Sequence, residues 1–559
     1  MTNADWIVFT AYLMGTVAVG LFLGRLVKNS KDLFTAGGKS PWWLSGLSAF
    51  MTMFSANTFV VWGGIAYEHG IVAVIINLCY GIAALLTGFT VAGKWKELGI
   101  STPAEYVDRR FGRGALHFYT WFMTTFRIVG TGGALYAIAR LTLAVMGGSE
   151  SAGLTSTALN LAIAVFALIV VLYTMVGGLW SVLVTDALQF IVLNLAVIFV
   201  IPLSLVRAGG LSGFVEGAPE GFFNATSDRY TFLFLLGWVA IHYFMIGADW
   251  AFVQRNLCVE TPRAARRSNY LFGVLYLFSP LLWLLPPMLW RIQQPIPPDA
   301  TAEMVTKLSE TAYIMSCMAV LPAGMLGLML AALFSATASM ISSQLNVFSS
   351  VLTKNIYEPL AGSPSDAKLL RVGRIFTVIL GVLIALIAIA TPYLGGAARL
   401  IIAVTQVMVT PLLAPTLASL FFRKVNASTI WITVGICFPL GLLAQFTDFL
   451  KKTPLQDTTV TSVILPLVIV AGCIVLGRKK APEWTYPEAQ PEEPTPESGN
   501  TSHLPARILA LCVSACGVTL FALILVNTEA RGWLAGFGAL LLLIAALILG
   551  LSRNRIQDT

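Results

Sequence analysis

Fifteen mainly apolar stretches, each long enough to cross a bilayer, follow one another along this chain and constrain its fold more than any other feature. They occupy residues 6–24, 42–66, 71–93, 116–145, 157–176, 180–206, 232–254, 269–290, 313–351, 372–391, 396–421, 428–446, 460–477, 506–526 and 532–552. A helix needs about 20 apolar residues to cross the hydrocarbon core. The sequence therefore predicts an all-α integral membrane protein of about 15 transmembrane helices. Of 559 residues, 57% are hydrophobic and 11% are charged, too few charges to cover several soluble domains. The ninth stretch is too long for one straight crossing. Pro322, Gly324 and Gly327 are expected to part an outer helical piece from the span proper.

The basic residues give the stretches a direction. Of 35 Lys and Arg, 25 fall on one set of alternate loops, with clusters at Arg25–Lys39, Lys94–Arg113, Arg255–Arg267 and Lys354–Arg374. Eight fall on the other side, and Arg127 and Arg140 lie inside a span. Such bias places the N-terminus outside and the C-terminus in the cytoplasm of a multi-pass cell-membrane protein. The net charge of +8 thus reads as topology, and no nucleic-acid partner is expected. The seven cysteines form no CxxC pair, so no metal cluster, redox motif or disulfide framework is read. No Lys or Arg precedes the first apolar run, which argues against a cleaved signal peptide. Residues 481–504, rich in Pro and Glu, are expected to form a flexible cytoplasmic tether.

Four stretches carry polar groups that lipid does not tolerate unless they pair or line a cavity. In the second, Ser55, Asn57 and Thr58 precede Gly63-Gly64. This suits a helix interrupted near the midplane, with carbonyls freed for a cation, or small residues that ease helix packing. The sixth places Asp186 about two turns inside its boundary, as a cation ligand, a proton carrier or a hydrogen-bonded structural carboxylate. In the ninth, Ser335, Ser339 and Ser342 share a face, either to hold sodium or to bond back to their own helix. His242 lies within the seventh, beside Tyr243 and Asp249.

Together these features resemble the sodium:solute symporter family. The matching residues are Gly177-Gly178 with Thr185-Asp186 and Gln189, Ser335-Ala336-Thr337-Ala338-Ser339-Met340, and Asn346 through Asn355-Ile356-Tyr357. Ser55-Ala56 with Phe59 and Gly63, Thr102-Pro103 with Glu105-Tyr106 and Arg110-Phe111, and Gln254-Arg255 also fit. The resemblance runs from about residue 6 to 477 and implies a LeuT-type core of two inverted five-helix repeats. Its layout would be a leading helix and loop (1–41), a first repeat (42–206), an external loop (207–229) and a second repeat (230–421). Two further helices (422–480), the tether (481–504) and two C-terminal helices (505–559) would follow. The first helix of each repeat is expected to break, near 51–58 and 242–249, with solute bound between the breaks.

By the same resemblance, the carbonyls of Met51, Phe54 and Ala332 and the hydroxyl of Ser335 would hold sodium. Ala336 stands where a second hydroxyl is expected. Asp186, Ser335 and Ser339 match a second sodium site of some relatives. Thr58, Asn77, His242, Met245 and Tyr276 fall on solute positions of sugar-transporting relatives, and Arg127 on an arginine that holds a substrate carboxylate in others. The implied activity is sodium-coupled symport of a small organic solute by alternating access, with a sugar or polyol favoured. Sodium is the coupling ion, the bilayer is the solvent, and no cofactor or oligomeric state is implied. Proton coupling, a carboxylate solute, or a transporter-like sensor are the alternatives; no output domain follows residue 477. No nucleophile or metal constellation surrounds Asp186 or His242, so an enzyme is not expected.

Overall fold

The computed structural model describes residues 1–147, 156–362, 364–394, 409–446, 453, 459–477, 504–527 and 531–554. Among them every regular element is helical, apart from one isolated bridge between Ser40 and Val259. Every predicted stretch falls on a helix, in whole or in part; residues 396–408 of the eleventh and nearly all of the tether lie outside the described residues. Eight of the described helices are long and apolar enough to cross a membrane, or nine if one bent pair counts as a span. The helices thus establish a many-span protein, whereas the figure of fifteen rests on the sequence alone.

The elements that position the site are α1 (Asn3–Leu23), α2 (Trp42–Thr52), α3 (Gly63–His69), α4 (Val72–Thr90), α5 (Arg113–Gly147) and α6 (Ser156–Arg207). They continue with α7 (Phe232–Ala248), α8 (Trp250–Leu257), α9 (Pro262–Gln293), α10 (Ala302–Val320), α11 (Met325–Val351) and α12 (Asp366–Ala390). The most enclosed of the membrane-length helices is α11, with 94% of its apolar window buried. Around it pack α1, α2, α5, α6, α8 and α12. Small residues Ala331, Ala332, Ser335, Ala336, Ala338 and Ser339 let these neighbours approach closely.

Helix α1 pins the start of α11. Asp5 closes a capping box with Thr2, and its other oxygen, Oδ1, accepts from the backbone N–H groups of Gly324 (2.8 Å) and Gly327 (3.1 Å). The carboxylate therefore satisfies two orphan donors of a helix that begins more than 300 residues later. The predicted parting of the ninth stretch occurs at residues 321–324, with Gly324 at φ +88°. Gly327 does not contribute to it. That glycine is already helical, and a Cβ there would stand 2.0 Å from the Asp5 carbonyl, so it serves the close approach of α1.

Gly178 divides α6 into the two predicted spans. Its φ of +52° with ψ −146° is open only to glycine, and a Cβ would lie 2.5 Å from the Leu33 carbonyl. Gly178→Ala is therefore expected to destabilise the fold by several kcal/mol, since strain and a backbone clash add. A fall in the detergent unfolding midpoint, and in membrane yield, checks this.

Candidate functional site

Two helices break where the sequence places polar residues. The first break separates α2 from a short helical restart at Ala56, which enters a π-helical turn, Thr58–Trp62, and then α3. Met53–Ser55 carry the interruption; the Met51 carbonyl accepts from Phe54 N–H (3.0 Å), and Thr58 Oγ1 accepts from Ser55 N–H (3.3 Å). The break faces α11: Ala56 N–H donates to Thr337 Oγ1 (2.9 Å), and Thr52 and Ser343 share a hydroxyl contact of 3.1 Å. The second break is a single residue, Asp249, in extended conformation between α7 and α8, which meet at 52°. It lies at the C-terminal edge of the predicted window, and His242 sits in unbroken helix two turns earlier. Asp249 stops one helix and starts the next because its Oδ1 accepts from Ala251 N–H (3.0 Å).

Asp186 is wholly buried between these elements. Ser48 Oγ donates to its Oδ2 at 2.5 Å, and Arg255 Nη2 stands 3.9 Å from the same oxygen. The guanidinium is held in turn by Ser48 (3.2 Å), Ser343 (2.5 Å), Gln254 Oε1 (3.2 Å) and the Ala251 carbonyl (3.1 Å). Ser339 lies beside the carboxylate. The Asp186 carboxylate and the Ser339 hydroxyl face each other, and neither Oδ1 nor Ser339 Oγ meets another partner; the amide of the buried Gln189 makes no well-formed hydrogen bond. Such poorly satisfied groups are costly in a packed interior, and a bound cation is one way to satisfy the oxygens among them.

The residues matched to sodium sites divide into two groups. Asp186 and Ser339 come together, with Ser48 and Arg255 added. Ser335 instead turns to α1, where its hydroxyl meets Tyr12 and donates to the Ala331 carbonyl (2.6 Å). Met51, Phe54 and Ala332 are buried along the α2 break and α11. Of the expected set, Asp186 and Ser339 lie side by side, while the Ser335 hydroxyl, one turn earlier on α11, is engaged by Tyr12.

The solute candidates gather about a stack of rings. His242 lies 3.9 Å from Tyr80 and 4.7 Å from Trp238, and Tyr80 stacks on Tyr276 at 5.3 Å. Tyr276 continues the cluster to Phe50 (4.9 Å), Phe54 (5.9 Å) and Trp283 (5.6 Å). His242 Nδ1 is 2.8 Å from the Trp238 carbonyl, so that nitrogen carries the proton and Nε2 is left as an acceptor. Asn77 lies one turn before Tyr80 and donates to the Ala73 carbonyl (2.8 Å). Met245 lies one turn after His242 and is half-buried. Thr58 sits apart, its hydroxyl engaged at the first break. Arg127 belongs to neither cluster and forms an ion pair with Asp249.

Tyr80, Trp238, Ser48, Ser343 and Tyr12 carry no role in the sequence reading. Tyr80 was within reach, since Asn77 and Tyr80 at i, i+3 share a helix face. Arg255 stood in the Gln254-Arg255 motif and Ser48 in the second stretch, but only the packing of α2 on α6, and of α8 on α2 and α11, brings them to Asp186. Outside the spans, Lys96 donates from Nζ to the Leu257 carbonyl at the end of α8 (3.0 Å), and burial lowers its pKa.

Such a bundle, with two broken helices set about buried polar groups, is the architecture of a membrane transporter. The sequence model of the sodium:solute symporter family matches residues 33–432, and the chain belongs to that family. It is a multi-pass membrane symporter and not an enzyme. The sodium/glucose cotransporter of Vibrio parahaemolyticus is 26% identical over 501 residues, covering 84% of this chain and 89% of that protein. The sodium/sialic acid symporter of Aliivibrio fischeri is 26% identical over 393 residues, covering 68% and 75%. Among solved structures, a sodium-coupled sialic acid symporter in its substrate-bound outward-open state superposes with a TM-score of 0.72 at 22% identity. It covers 86% of this chain and 99% of its own.

Proposed function

We propose that this protein couples inward movement of sodium to uptake of a small uncharged organic solute, a sugar or polyol, by alternating access. The observation that carries the ion assignment is Asp186, wholly buried, whose Oδ1 meets no protein donor other than the neighbouring Ser339 hydroxyl. The oxygens of Asp186, Ser339 and Ser48 suit a hard cation. The carbonyls of Met51, Phe54 and Ala332 would supply a second position at the first break, which Ser335 would join only by leaving Tyr12. The solute assignment is supported by the neutral character of Thr58, Asn77, His242, Met245 and Tyr276, and by relatives named for glucose and myo-inositol; the relative named for sialic acid, a sugar acid, favours the carboxylate alternative.

Outside sodium would favour an outward-open state; solute then closes the outer path, and the two five-helix repeats, 42–206 and 230–421, rock to release both ligands inward. The N-terminus would lie outside and the C-terminus in the cytoplasm. The external loop 207–229, helices 422–480, the tether 481–504 and the C-terminal pair in 505–559 complete this layout. No cofactor is required. A potential of 100 mV contributes about 2.3 kcal/mol per charge, which sustains roughly fiftyfold accumulation per sodium.

Uptake into proteoliposomes tests this, using labelled glucose, myo-inositol and sialic acid under an imposed sodium or proton gradient. Sodium-driven accumulation of a neutral solute is expected. Accumulation driven by protons alone would reassign the ion, and indifference to both gradients would refute symport and leave a sensor.

A further inference from the structure

The loop after α1 is fastened to the helix that carries Arg255. Its short helix, Ser30–Thr35, packs on α6, α11 and α12, on the side that the proposed topology makes cytoplasmic. Gln254 on α8 donates from Nε2 to the Phe34 carbonyl (2.8 Å) and to Asn346 Oδ1 on α11 (2.9 Å). Asn346 Nδ2 donates in turn to the Leu33 carbonyl (3.1 Å). Two consecutive carbonyls of the loop are thus held by two buried amides. Further along the loop, Ser40 N–H donates to the Cys258 carbonyl (2.9 Å), just past the end of α8. At its other end the N–H (3.0 Å) and hydroxyl (2.5 Å) of Ser30 both donate to Asp366, the first residue of α12.

The other end of the Gln254 amide faces the ion site. Its Oε1 accepts from Arg255 Nη1 (3.2 Å), and Nη2 of the same guanidinium stands 3.9 Å from Asp186 Oδ2. One amide therefore touches both the charge partner of Asp186 and the fastening of the loop. A cation on Asp186 competes with Arg255 for the carboxylate, and the guanidinium then leans on its neutral acceptors, Gln254 Oε1 among them. A charge-assisted bond to Oε1 fixes the amide plane and strengthens donation from Nε2 to Phe34 and Asn346. Building on the reading of Asp186 as a sodium ligand, we propose that Gln254 is a positioning residue that ties closure of the cytoplasmic path to cation binding. Sodium on Asp186 tightens this latch, and its departure loosens it; each biases the other by the same factor.

The native Cys258 reports the latch, because it is wholly buried against the loop, with its thiol 3.3 Å from Ser45 Oγ. Full-length protein is treated with N-ethylmaleimide in sodium or in potassium at equal ionic strength, and modification of each cysteine is read by mass spectrometry. Sodium is expected to slow labelling of Cys258 in wild type. In Gln254→Met, labelling in sodium should be about tenfold faster than in wild type, the effect of one or two net hydrogen bonds, and no slower than in potassium. Asn346→Ala, which leaves the Arg255 contact in place, should also speed labelling in sodium and serves if the first variant folds poorly. Cys317 on α10, equally buried, controls for general loosening of the fold. Wild-type rates at Cys258 in the variants, or Cys317 rising in step with it, overturn the proposal. The unfolding midpoint of wild type separates the two readings. If sodium does not raise it above its value in potassium, the sodium reading falls; if it does and the variants label like wild type, only the role of Gln254 falls.

Discussion

Asp186→Asn is expected to abolish the sodium dependence of uptake. The substitution keeps the side chain's size and removes the charge at a wholly buried position. It also strands Arg255, whose remaining partners are two serines, Gln254 and a carbonyl, all neutral. Breaking a buried charge pair from one side costs about 3–5 kcal/mol, so a lower unfolding midpoint should accompany the loss. The two effects can be separated. Asp186→Asn/Arg255→Gln removes both charges and should recover much of the stability while uptake stays indifferent to sodium. Wild-type sodium dependence in Asp186→Asn, measured under an inward gradient, would refute the assignment.

The second large effect is expected at Tyr276. Its ring touches Phe50, Phe54, Tyr80, Phe272 and Trp283, so it joins the first break to α4 and α9. Tyr276→Ala opens a cavity that costs about 3–5 kcal/mol in comparable cores, and solute binding should be lost with the packing. Tyr276→Phe keeps the ring contacts and removes only the hydroxyl. A solute contact through that oxygen predicts KM raised up to about tenfold with kcat retained. Uptake kinetics and the unfolding midpoint, measured on both variants, check this; an unchanged KM in the Phe variant would remove the hydroxyl from the solute site.

Much of the fold was legible because a lipid solvent leaves few choices. An unsatisfied backbone cannot sit in hydrocarbon, so each long apolar run becomes a helix. Its interruptions at Ser55, Gly178, Asp249 and Gly324 stand out against that uniform background. Gly327 was misread as part of a break because a glycine that ends a helix and one that admits a neighbouring backbone look alike in sequence. The site was less legible. Asp186 is conspicuous as a carboxylate inside a span, but Arg255 and Ser48 lie far from it along the chain. Ser335 and Ser339 share a face of α11, yet Tyr12 claims one and Asp186 the other.

The sequence by itself determined the class of solvent, the helical fold, the places where helices are interrupted and the presence of a buried carboxylate. These follow from hydropathy and backbone chemistry acting over a few turns, which is the range a linear pattern records. Tertiary structure alone decided the partners. It set Arg255 and Ser48 on Asp186, Tyr80 on His242 and Tyr276, and Asp249 on Arg127. Each pairing depends on the angle and depth at which helices distant in sequence meet. For the arginines the consequence is chemical: charges that read as free in the sequence are already neutralised by the protein's own carboxylates.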